Sequence, residues 1–412
     1  MKNRSEQLRI LSISSMYTGS LENFYRANPA VSEMTYADHY NLLLDFSTDF
    51  TSSYIKSFQR HGLTADAVIA NDNALQKKWA RAYLASKCKD SAILLSQISY
   101  YKPDILWIED LRFTSQEFLS EIKQKVKSIK LLAAYHCAPF NTVNTEKLKL
   151  FDFVITCTPG LMDELKGKGI KSFLVYHGFD ADILPKLKPT LNRNPLNVLF
   201  SGSLFQGQGY HQGRLDFIEQ LLSHGVDVSL YINIESRLKI LAKRFLHIIR
   251  QTGKMMGIER PEKVLPVLEY GTEPVSNYSG LLLEKIKSPV YGLKMYQLLH
   301  DSKIVLNIHG DIAGKYAGNI RMFESTGAGS CLLTDRKENN QDLFEENKEI
   351  VVFDDVNDCI SKINWLLANE NIRSAIAEAG HKRTLNSHTV DKRCAEIVAI
   401  FKAEFNSEVE IA

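Results

Sequence analysis

Long apolar runs are missing from this sequence of 412 residues. None approaches the roughly 18 uninterrupted apolar residues that a membrane-spanning helix needs. The first apolar stretch, Leu11 to Met16, is interrupted by serines and has no small-residue cleavage site after it. We therefore interpret it as a first strand and not as a signal peptide, and we expect a cytoplasmic protein.

Net charge is nearly absent as well. The chain has 50 Lys and Arg against 48 Asp and Glu, a formal charge of +2, and 44% of its residues are hydrophobic. This balance excludes a generally basic nucleic-acid binder, an acidic-tail protein and an intrinsically disordered chain. The length predicts two or three domains with sizeable cores, and no nucleic-acid partner is expected.

Clustered cysteines are the third absence. The six cysteines are scattered along the chain without a C-x-x-C pair. Because disulfide frameworks and zinc sites need clustered sulfurs, the sequence supports neither and predicts free thiols in a reducing compartment. His136 and Cys137 are adjacent, but neighbours on an extended chain point to opposite sides, which disfavours a Cys–His nucleophile.

What the sequence does have is an alternation of short apolar strands with helical stretches. The predicted strands are 9–14, 67–70, 105–108, 130–135, 153–156 and 172–176, then 197–201, 226–232, 264–270, 303–308, 331–334 and 350–353. Helices are predicted over 40–61, 76–100 and 115–126 in the first half. The alternation indicates an α/β protein with two Rossmann-like lobes, and the cleft at the carboxyl ends of their strands is the expected ligand site.

A charged segment with three prolines, residues 185–195, is typical of a linker between lobes. It predicts an N-terminal lobe over 1–190 and a C-terminal lobe over 196–390. Residues 391–412 contain an amphipathic helix whose apolar face has to pack against another element.

The stretch richest in chemistry follows the predicted strand 303–308. A loop with His309 and Asn319 leads into a helix that carries Arg321 and Glu324. The start of such a helix offers free N–H groups and a positive dipole to an anion. A guanidinium there suits a diphosphate, and a carboxylate one turn later suits a ribose diol. The alternative is an Arg–Glu ion pair on a solvated helix face; the position after a strand-end loop favours the ligand role.

Residues 291–396 resemble the C-terminal lobe of GT-B glycosyltransferases of the "glycosyl transferases group 1" type, which includes CgeB-like proteins. The matching pieces are a tyrosine-rich stretch over 291–299, Leu306-Asn-Ile-His309, Asn319-Ile-Arg-Met-Phe-Glu324, Gly327-Ala-Gly329, 376–380, His388-Thr389 and Arg393. The first lobe resembles the GT-4-like N-terminal domain through Leu131-Leu-Ala-Ala-Tyr-His136, Asp152-Phe-Val-Ile-Thr-Cys-Thr158 and Tyr176-His-Gly-Phe-Asp180.

The resemblance implies a GT-B fold in which a C-terminal helix crosses back to the first lobe. It also implies a glycosyltransferase that uses a nucleotide-sugar donor and a glycan, lipid-linked or other acceptor, as in bacterial surface polysaccharide or glycoconjugate synthesis. Together with the strand-end positions, it indicates His136 as the catalytic candidate, a sugar and acceptor cleft at Tyr17, Gly19 and Asn307, and donor binding by Arg321, Glu324, Asn319, Arg214, His309, Gly202 and Tyr270. Gly19 as an ordinary turn glycine, and His136 and Arg214 as structural residues, are the alternatives at those positions.

Two departures from the family pattern matter. Retaining GT-4 enzymes carry a second glutamate eight positions before the ribose-binding one, but here that position is Tyr316, and the nearest upstream acid is Asp311. Retention is favoured, but the stereochemistry is left undetermined. The usual Arg–Lys pair of the first loop in the second lobe is also altered, and only Arg214 supplies a cation there.

No D-x-D motif is followed by a plausible set of metal ligands, so we expect no cofactor and no metal in catalysis. The alternatives to a transferase are a nucleotide-sugar epimerase or hydrolase on the same fold and a non-catalytic binding subunit.

Residues 235–254 are predicted to form a basic amphipathic helix. Its apolar stripe is expected to pack in the core, and the alternative is peripheral contact with an anionic membrane.

Overall fold

The computed structural model describes residues 7–48, 50–84, 90–138, 142–189, 195–204, 212–265, 267–268, 275 and 277–411. The strands are β1 Arg9–Ser14, β2 Thr64–Ile69, β3 Ile105–Ile108, β4 Leu131–Tyr135, β5 Phe153–Thr156, β6 Ser172–Leu174, β7 Leu196–Ser203, β8 Val228–Asn233, β9 Ile286–Lys287, β10 Ser302–Asn307, β11 Cys331–Asp335 and β12 Val351–Phe353.

The helices of the first lobe are α1 Thr18–Ala27, α2 Tyr36–Phe46, α3 Phe50–Arg60, α4 Asn73–Tyr83, α5 Asp90–Tyr101, α6 Gln116–Lys125, α7 Thr142–Leu148 and α8 Pro159–Gly167. Those that follow are α9 Gln212–Ser223, α10 Arg237–Met255, α11 Pro261–Val264, α12 Gly280–Lys285, α13 Leu293–His300, α14 Ile320–Gly327, α15 Asn340–Leu343, α16 Val356–Ala368, α17 Glu370–Ser387 and α18 Val390–Ile411. Short 3₁₀ helices occur at Pro29–Glu33, Leu111–Phe113, Ala181–Lys186 and Asp311–Ala313.

Two parallel sheets of six strands organise the molecule, one in each lobe. Their strand orders are β2-β1-β3-β4-β5-β6 and β12-β11-β10-β7-β8-β9. Every residue of β3, β4 and β5 is buried, as expected for parallel strands covered by helices on both faces. This architecture confirms the predicted α/β fold class with two Rossmann-like lobes.

Two long predicted helices were wrong because each is interrupted. The stretch predicted as one helix over 40–61 forms α2 and α3, and the Ser52 hydroxyl donates to the carbonyl of Leu44 across the break. The stretch predicted over 76–100 forms α4 and α5. Side-chain caps decide such boundaries: the carboxylate of Asp72 accepts from the N–H of Leu75 and starts α4 early.

The predicted strand over 264–270 was also wrong where the structure describes it. Val264 ends α11, whose first residue is Pro261, a residue suited to the start of a helix. The place of an edge strand is taken by β9, which pairs with β8 at Leu230 and Ile286.

Helix α10 overturns the expectation that its apolar stripe lies in the core. Leu238, Leu241, Phe245 and Ile248 are 79%, 59%, 63% and 62% exposed. The opposite face turns inward and carries Lys243, which is 2% exposed and forms a buried ion pair of 2.6 Å with Glu235. The helix therefore presents its apolar side outward. Among the described residues, no helix combines the length and the apolar composition that crossing a bilayer would require.

The chain crosses between the lobes twice at one place. The N–H of Phe179 donates to the carbonyl of His388 at 2.8 Å, and the N–H of Val390 donates to the carbonyl of Phe179 at 2.9 Å. The Phe179 ring packs in the core of the second lobe, where a Cβ on Gly327 would lie 2.2 Å from it. This double crossing leads directly into α18.

Helix α18 completes the core of the first lobe. Cys394, Ile397, Val398 and Phe401 are all buried in the cluster formed by the first sheet and α3. The ring of Phe401 lies 5.3 Å from that of Trp107 on β3. The last helix of the chain therefore belongs structurally to its first lobe.

His388, in the double crossing, is expected to make the stability of the protein depend on pH. It is buried, its Nε2 lies 2.8 Å from the carbonyl of Leu343, and Arg393 donates to its Nδ1 at 2.7 Å. Burial lowers the pKa of His388 to about 4, with Arg393 and Arg383 adding to the effect and the Leu343 carbonyl opposing it. The neutral ring with its proton on Nε2 fits both partners.

Because the pKa of an unfolded histidine is about 6.5, the unfolded chain binds a proton below that pH while folded His388 stays neutral down to pH 4. His388 therefore removes about 2 kcal/mol of stability between pH 7 and pH 5. We expect His388→Gln to flatten the pH dependence of the free energy of unfolding by that amount, as measured by urea unfolding at the two pH values. His224→Gln, at an exposed histidine, is the control. An unchanged slope in His388→Gln would contradict the assignment.

Candidate functional site

The loop between β10 and α14 leaves the start of α14 open. Asn319 occupies the N-cap position, but its side chain does not cap the first turn. The Asn319 amide instead donates to Oδ1 of Asn307 at 2.8 Å. The N–H of Met322 donates to the carbonyl of Asn319 at 3.2 Å. Within the described part of the chain, the N–H groups of Ile320 and Arg321 have no side-chain partner, so they and the helix dipole are available to an anion.

Arg321 and Glu324 form a pair one turn into α14. Nη1 of Arg321 lies 2.7 Å from Oε2 of Glu324, and the two side chains are only 19% and 8% exposed. The hydroxyl of Tyr296 donates to the other carboxylate oxygen at 2.9 Å. Burial and the nearby carboxylate raise the pKa of Tyr296 well above its ordinary value, so this hydroxyl stays a donor. The ion pair of the alternative interpretation exists, but it is buried and not on a solvated face.

A polar network at the ends of β10 and β11 supports the loop. Nδ1 of His309 lies 2.7 Å from Oδ1 of Asp335, and the His309 N–H donates to the same oxygen at 3.0 Å. Burial alone would raise the pKa of Asp335, but the contacts with His309 bring it below its usual value. Asn307, predicted to line the cleft, is buried and donates to the Thr334 hydroxyl at 2.9 Å, so it positions Asn319.

Two buried polar atoms in this network have no hydrogen-bond partner within the described part of the chain. They are Nε2 of His309 and Oδ1 of Asn319. Because an unsatisfied buried polar atom costs roughly 1–3 kcal/mol, such a pair beside an open helix start indicates a ligand site.

Arg214 lies next to this network and is held by backbone carbonyls. Its guanidinium donates to Ile308 O at 2.6 and 3.0 Å and to Ser203 O at 3.2 Å. Burial lowers the pKa of Arg214 to about 10, against the opposing effect of Asp335 and Asp311, so it remains a cation at neutral pH. These contacts tie the end of β7 to the end of β10 and favour the structural alternative; a phosphate contact stays a prediction.

Gly202 lies within β7, which continues to Ser203 and does not end at 201 as predicted. A Cβ on Gly202 would lie 3.9 Å from Nη1 of Arg214. The residue therefore borders the arginine. Tyr270, the predicted contact for the base, lies outside the described residues.

Tyr17 and Gly19 of the first lobe meet Tyr291 of the second. Gly19 lies in the first turn of α1, where a Cβ would come within 2.4 Å of the Tyr291 ring. Tyr17 is 73% exposed, and its ring lies 6.1 Å from that of Tyr291. Gly19 is therefore a position of close approach between the lobes and not an ordinary turn glycine.

His136 follows β4 and is buried, with its N–H donating to the carbonyl of Ile155 at 2.9 Å. The next residue, Cys137, shows that the prediction of unclustered cysteines was wrong, because Cys137 lies beside Cys157. Ligand atoms of Cys137, Cys157 and His177 all lie within 4.8 Å of one another. Burial alone would raise the pKa of Cys137, but hydrogen bonds with Cys157 and His177 bring it down to about 6.

Sequence reasoning missed several residues that shape the site. Tyr296 and Asp335 lie within sequence stretches that were already noted. Their positions, on α13 and at the end of β11, could have indicated that they border the site. Tyr316 replaces the expected acid, and its ring lies 3.0 Å from where a Cβ on Gly160 would be. That contact joins the loop before α14 to α8 of the first lobe.

Known proteins are similar to this chain in part of its sequence and in its overall fold. A sequence model of the family described as glycosyl transferase-like matches residues 258–399. This part of the chain, less than half of the whole, is similar to that family. No curated protein matches the chain by sequence. The narrower resemblance to CgeB-like proteins stays a prediction.

Solved structures of similar fold cover nearly the whole chain. A glycosyltransferase from Rickettsia africae is 12% identical, with a TM-score of 0.54 over 97% of this chain and 99% of that one. Sucrose-phosphate synthase from Thermosynechococcus elongatus is 10% identical, with a TM-score of 0.55 over 97% and 100%. HepE from Anabaena is 11% identical, with a TM-score of 0.53 over 96% and 100%. The fold is that of GT-B proteins.

Gly318, directly before Asn319, generates a prediction about the contact between the GT-B lobes. Its φ is +154°, and a Cβ there would lie 2.6 Å from the backbone oxygen of Cys157 in the first lobe. We expect Gly318→Ala to lose about 2–3 kcal/mol of stability through strain and this clash. Gly314→Ala is the control, because Gly314 has a positive φ but open space around it, and it should lose only about 1 kcal/mol. Urea unfolding measures the free energy of unfolding of both variants. Equal losses would show that the contact between the lobes contributes nothing to stability.

Proposed function

We propose that the protein transfers a sugar from a nucleoside-diphosphate sugar to a hydroxyl of a glycan or lipid-linked acceptor. The observation that carries this proposal is the uncapped start of α14 beside the buried Arg321–Glu324 pair, at the carboxyl end of a strand in a GT-B fold. An anionic diphosphate and a ribose diol are complementary to these groups. A role in bacterial surface polysaccharide or glycoconjugate synthesis is part of the proposal.

The donor is proposed to bind mainly to the second lobe. Its diphosphate occupies the start of α14 and contacts Arg321, and its ribose hydroxyls contact Glu324, which Tyr296 holds in place. The buried atoms of His309 and Asn319 gain partners when the donor is bound. HepE of Anabaena was solved with UDP and glucose, which supports a UDP-linked sugar as the first donor to test.

In the transfer, the bond between the sugar carbon and the diphosphate oxygen breaks, and a bond to the acceptor oxygen forms. The negative charge that develops on the departing diphosphate is stabilised by Arg321 and the N–H groups of α14, so no metal ion is required in this proposal. His136 contacts the sugar at the end of β4, and the acceptor proton passes to it or to the departing phosphate. Retention or inversion depends on which face of the sugar the acceptor attacks.

The donor site is tested with thermal shift and calorimetry on UDP-, GDP-, dTDP-, ADP- and CMP-linked sugars. We expect one of them to raise the melting temperature and Arg321→Lys to raise its Kd about tenfold or more, because lysine keeps the charge but loses the planar fork. Arg336→Lys, at a half-exposed arginine that pairs with Glu346 and Asp354, is the matched control. If no donor binds the wild type, the donor site is wrong.

Tyr316 stands where retaining family members have a glutamate, eight positions before Glu324. A non-catalytic subunit that binds the donor is therefore the second candidate function. Donor binding without turnover across a broad set of acceptors would favour that subunit. Turnover of the donor without any acceptor would favour a nucleotide-sugar epimerase or hydrolase on the same fold. Transfer that is lost in Arg321→Ala, with folding intact, would establish the transferase.

We also propose that the protein contacts an anionic membrane through α10, which would bring a lipid-linked acceptor to the cleft. The support is the outward apolar face of this helix, bordered by Arg237 and Arg244, both of them exposed. Apolar side chains inserted at the level of the headgroups, with cations beside acidic lipids, are the pattern of an interfacial helix. The inward placement of the Lys243–Glu235 pair fixes this orientation.

Vesicle sedimentation tests the membrane contact. We expect the protein to sediment with vesicles of phosphatidylglycerol and phosphatidylcholine but far less with phosphatidylcholine alone, and the double variant Leu241→Glu/Phe245→Glu to lose most of its binding. Ile372→Glu, at an exposed apolar residue of α17, is the control that should still bind. Binding of the double variant at the wild-type level, or a stable dimer in place of vesicle binding, would overturn this proposal.

A further inference from the structure

The cluster of Cys137, Cys157 and His177 lies at the ends of three neighbouring strands. These residues follow β4, β5 and β6, which are consecutive in the first sheet. The parallel register pairs Tyr135 with Ile155, so two residues further on each strand Cys137 comes beside Cys157. One ligand atom of each residue lies within 4.8 Å of the others.

Two thiolates and an imidazole are a ligand set that favours zinc and other soft divalent cations. In a tetrahedral zinc site the metal–ligand distances of about 2.0–2.3 Å place the ligand atoms roughly 3.3–3.8 Å apart. Since the separations do not exceed 4.8 Å, the cluster needs to contract by at most about 1.5 Å to hold an ion. Three protein ligands leave the fourth position open.

The surroundings of the cluster also fit a metal site. The hydroxyl of Tyr135 lies 3.1 Å from Nδ1 of His177 and orients the imidazole ring. The Phe50 ring packs on Tyr135 at 4.6 Å and covers this side with apolar surface. Outer contacts of this kind fix the tautomer and direction of a metal-binding histidine.

We propose that Cys137, Cys157 and His177 bind one soft divalent cation, of which zinc is the best match. The ion would join the ends of β4, β5 and β6 and hold the Cys157 backbone against Gly318 of the second lobe. It lies beside His136, the proposed sugar contact, and apart from the diphosphate contacts of the second lobe. The imidazole distinguishes this site from a disulfide, which would use the two sulfurs alone.

The test uses the full-length protein, reduced with a phosphine and free of chelators. Titration with Co²⁺ alone is expected to produce thiolate-to-cobalt charge-transfer absorption that saturates at one equivalent and disappears when Zn²⁺ is added. Cys137→Ser and Cys157→Ser should abolish the absorption, and His177→Ala should weaken binding at least about a hundredfold. Cys359→Ser, at a buried cysteine of the second lobe, is the matched control and should bind like the wild type.

A second measurement on the wild type does not depend on whether the variants fold. Zn²⁺ should protect Cys137 and Cys157 from a small alkylating reagent, as read by mass spectrometry, and leave the alkylation of the other cysteines unchanged. Absence of both cobalt absorption and zinc protection overturns the proposal. A Cys137–Cys157 disulfide that forms in air, in a protein that binds no metal after reduction, overturns it as well and identifies a redox pair.

Discussion

The double crossing at Phe179 is the constraint on which the arrangement of the two lobes depends. Two segments that are distant in sequence exchange backbone hydrogen bonds there, and the Phe179 ring enters the core of the second lobe. That entry requires Gly327, because any larger residue on α14 would occupy the space of the ring. The same short helix therefore receives the crossing at its C-terminal end and offers its N-terminal end to the candidate ligand.

The candidate donor site is built from charges that are already ordered. Holding Arg321 and Glu324 out of water has a large desolvation cost, which their attraction offsets only when the geometry is good and further partners are present. Tyr296 is such a partner for Glu324, and its buried hydroxyl cannot rotate freely toward solvent. A site ordered in this way loses less entropy when a diphosphate arrives than one built from mobile surface side chains.

The sequence was a good guide to the sheets and a poor one to side-chain direction. Apolar strands such as Ile105–Ile108 are recognisable because both of their faces are buried. The pattern of α10 predicted an amphipathic helix but not that its apolar side would face outward, since that depends on the buried ion pair between Lys243 and Glu235. Cys137 and Cys157 looked unrelated because strand neighbours in a parallel sheet are separated in sequence by a whole helix. The Arg321–Glu324 pair was recognisable from its spacing, whereas the role of Tyr296 depends on how α13 packs on α14.

The return of α18 to the first lobe has a consequence for synthesis on the ribosome. Phe401 and Ile397 fill the core beside β3 and α3, whose own residues are made some 300 positions earlier. During translation the apolar groove of the first lobe therefore stays uncovered while the whole second lobe emerges and folds. The groove closes only after α18 has left the exit tunnel, so the first lobe is completed later than the second. A nascent chain stalled before residue 390 would expose that groove to chaperones.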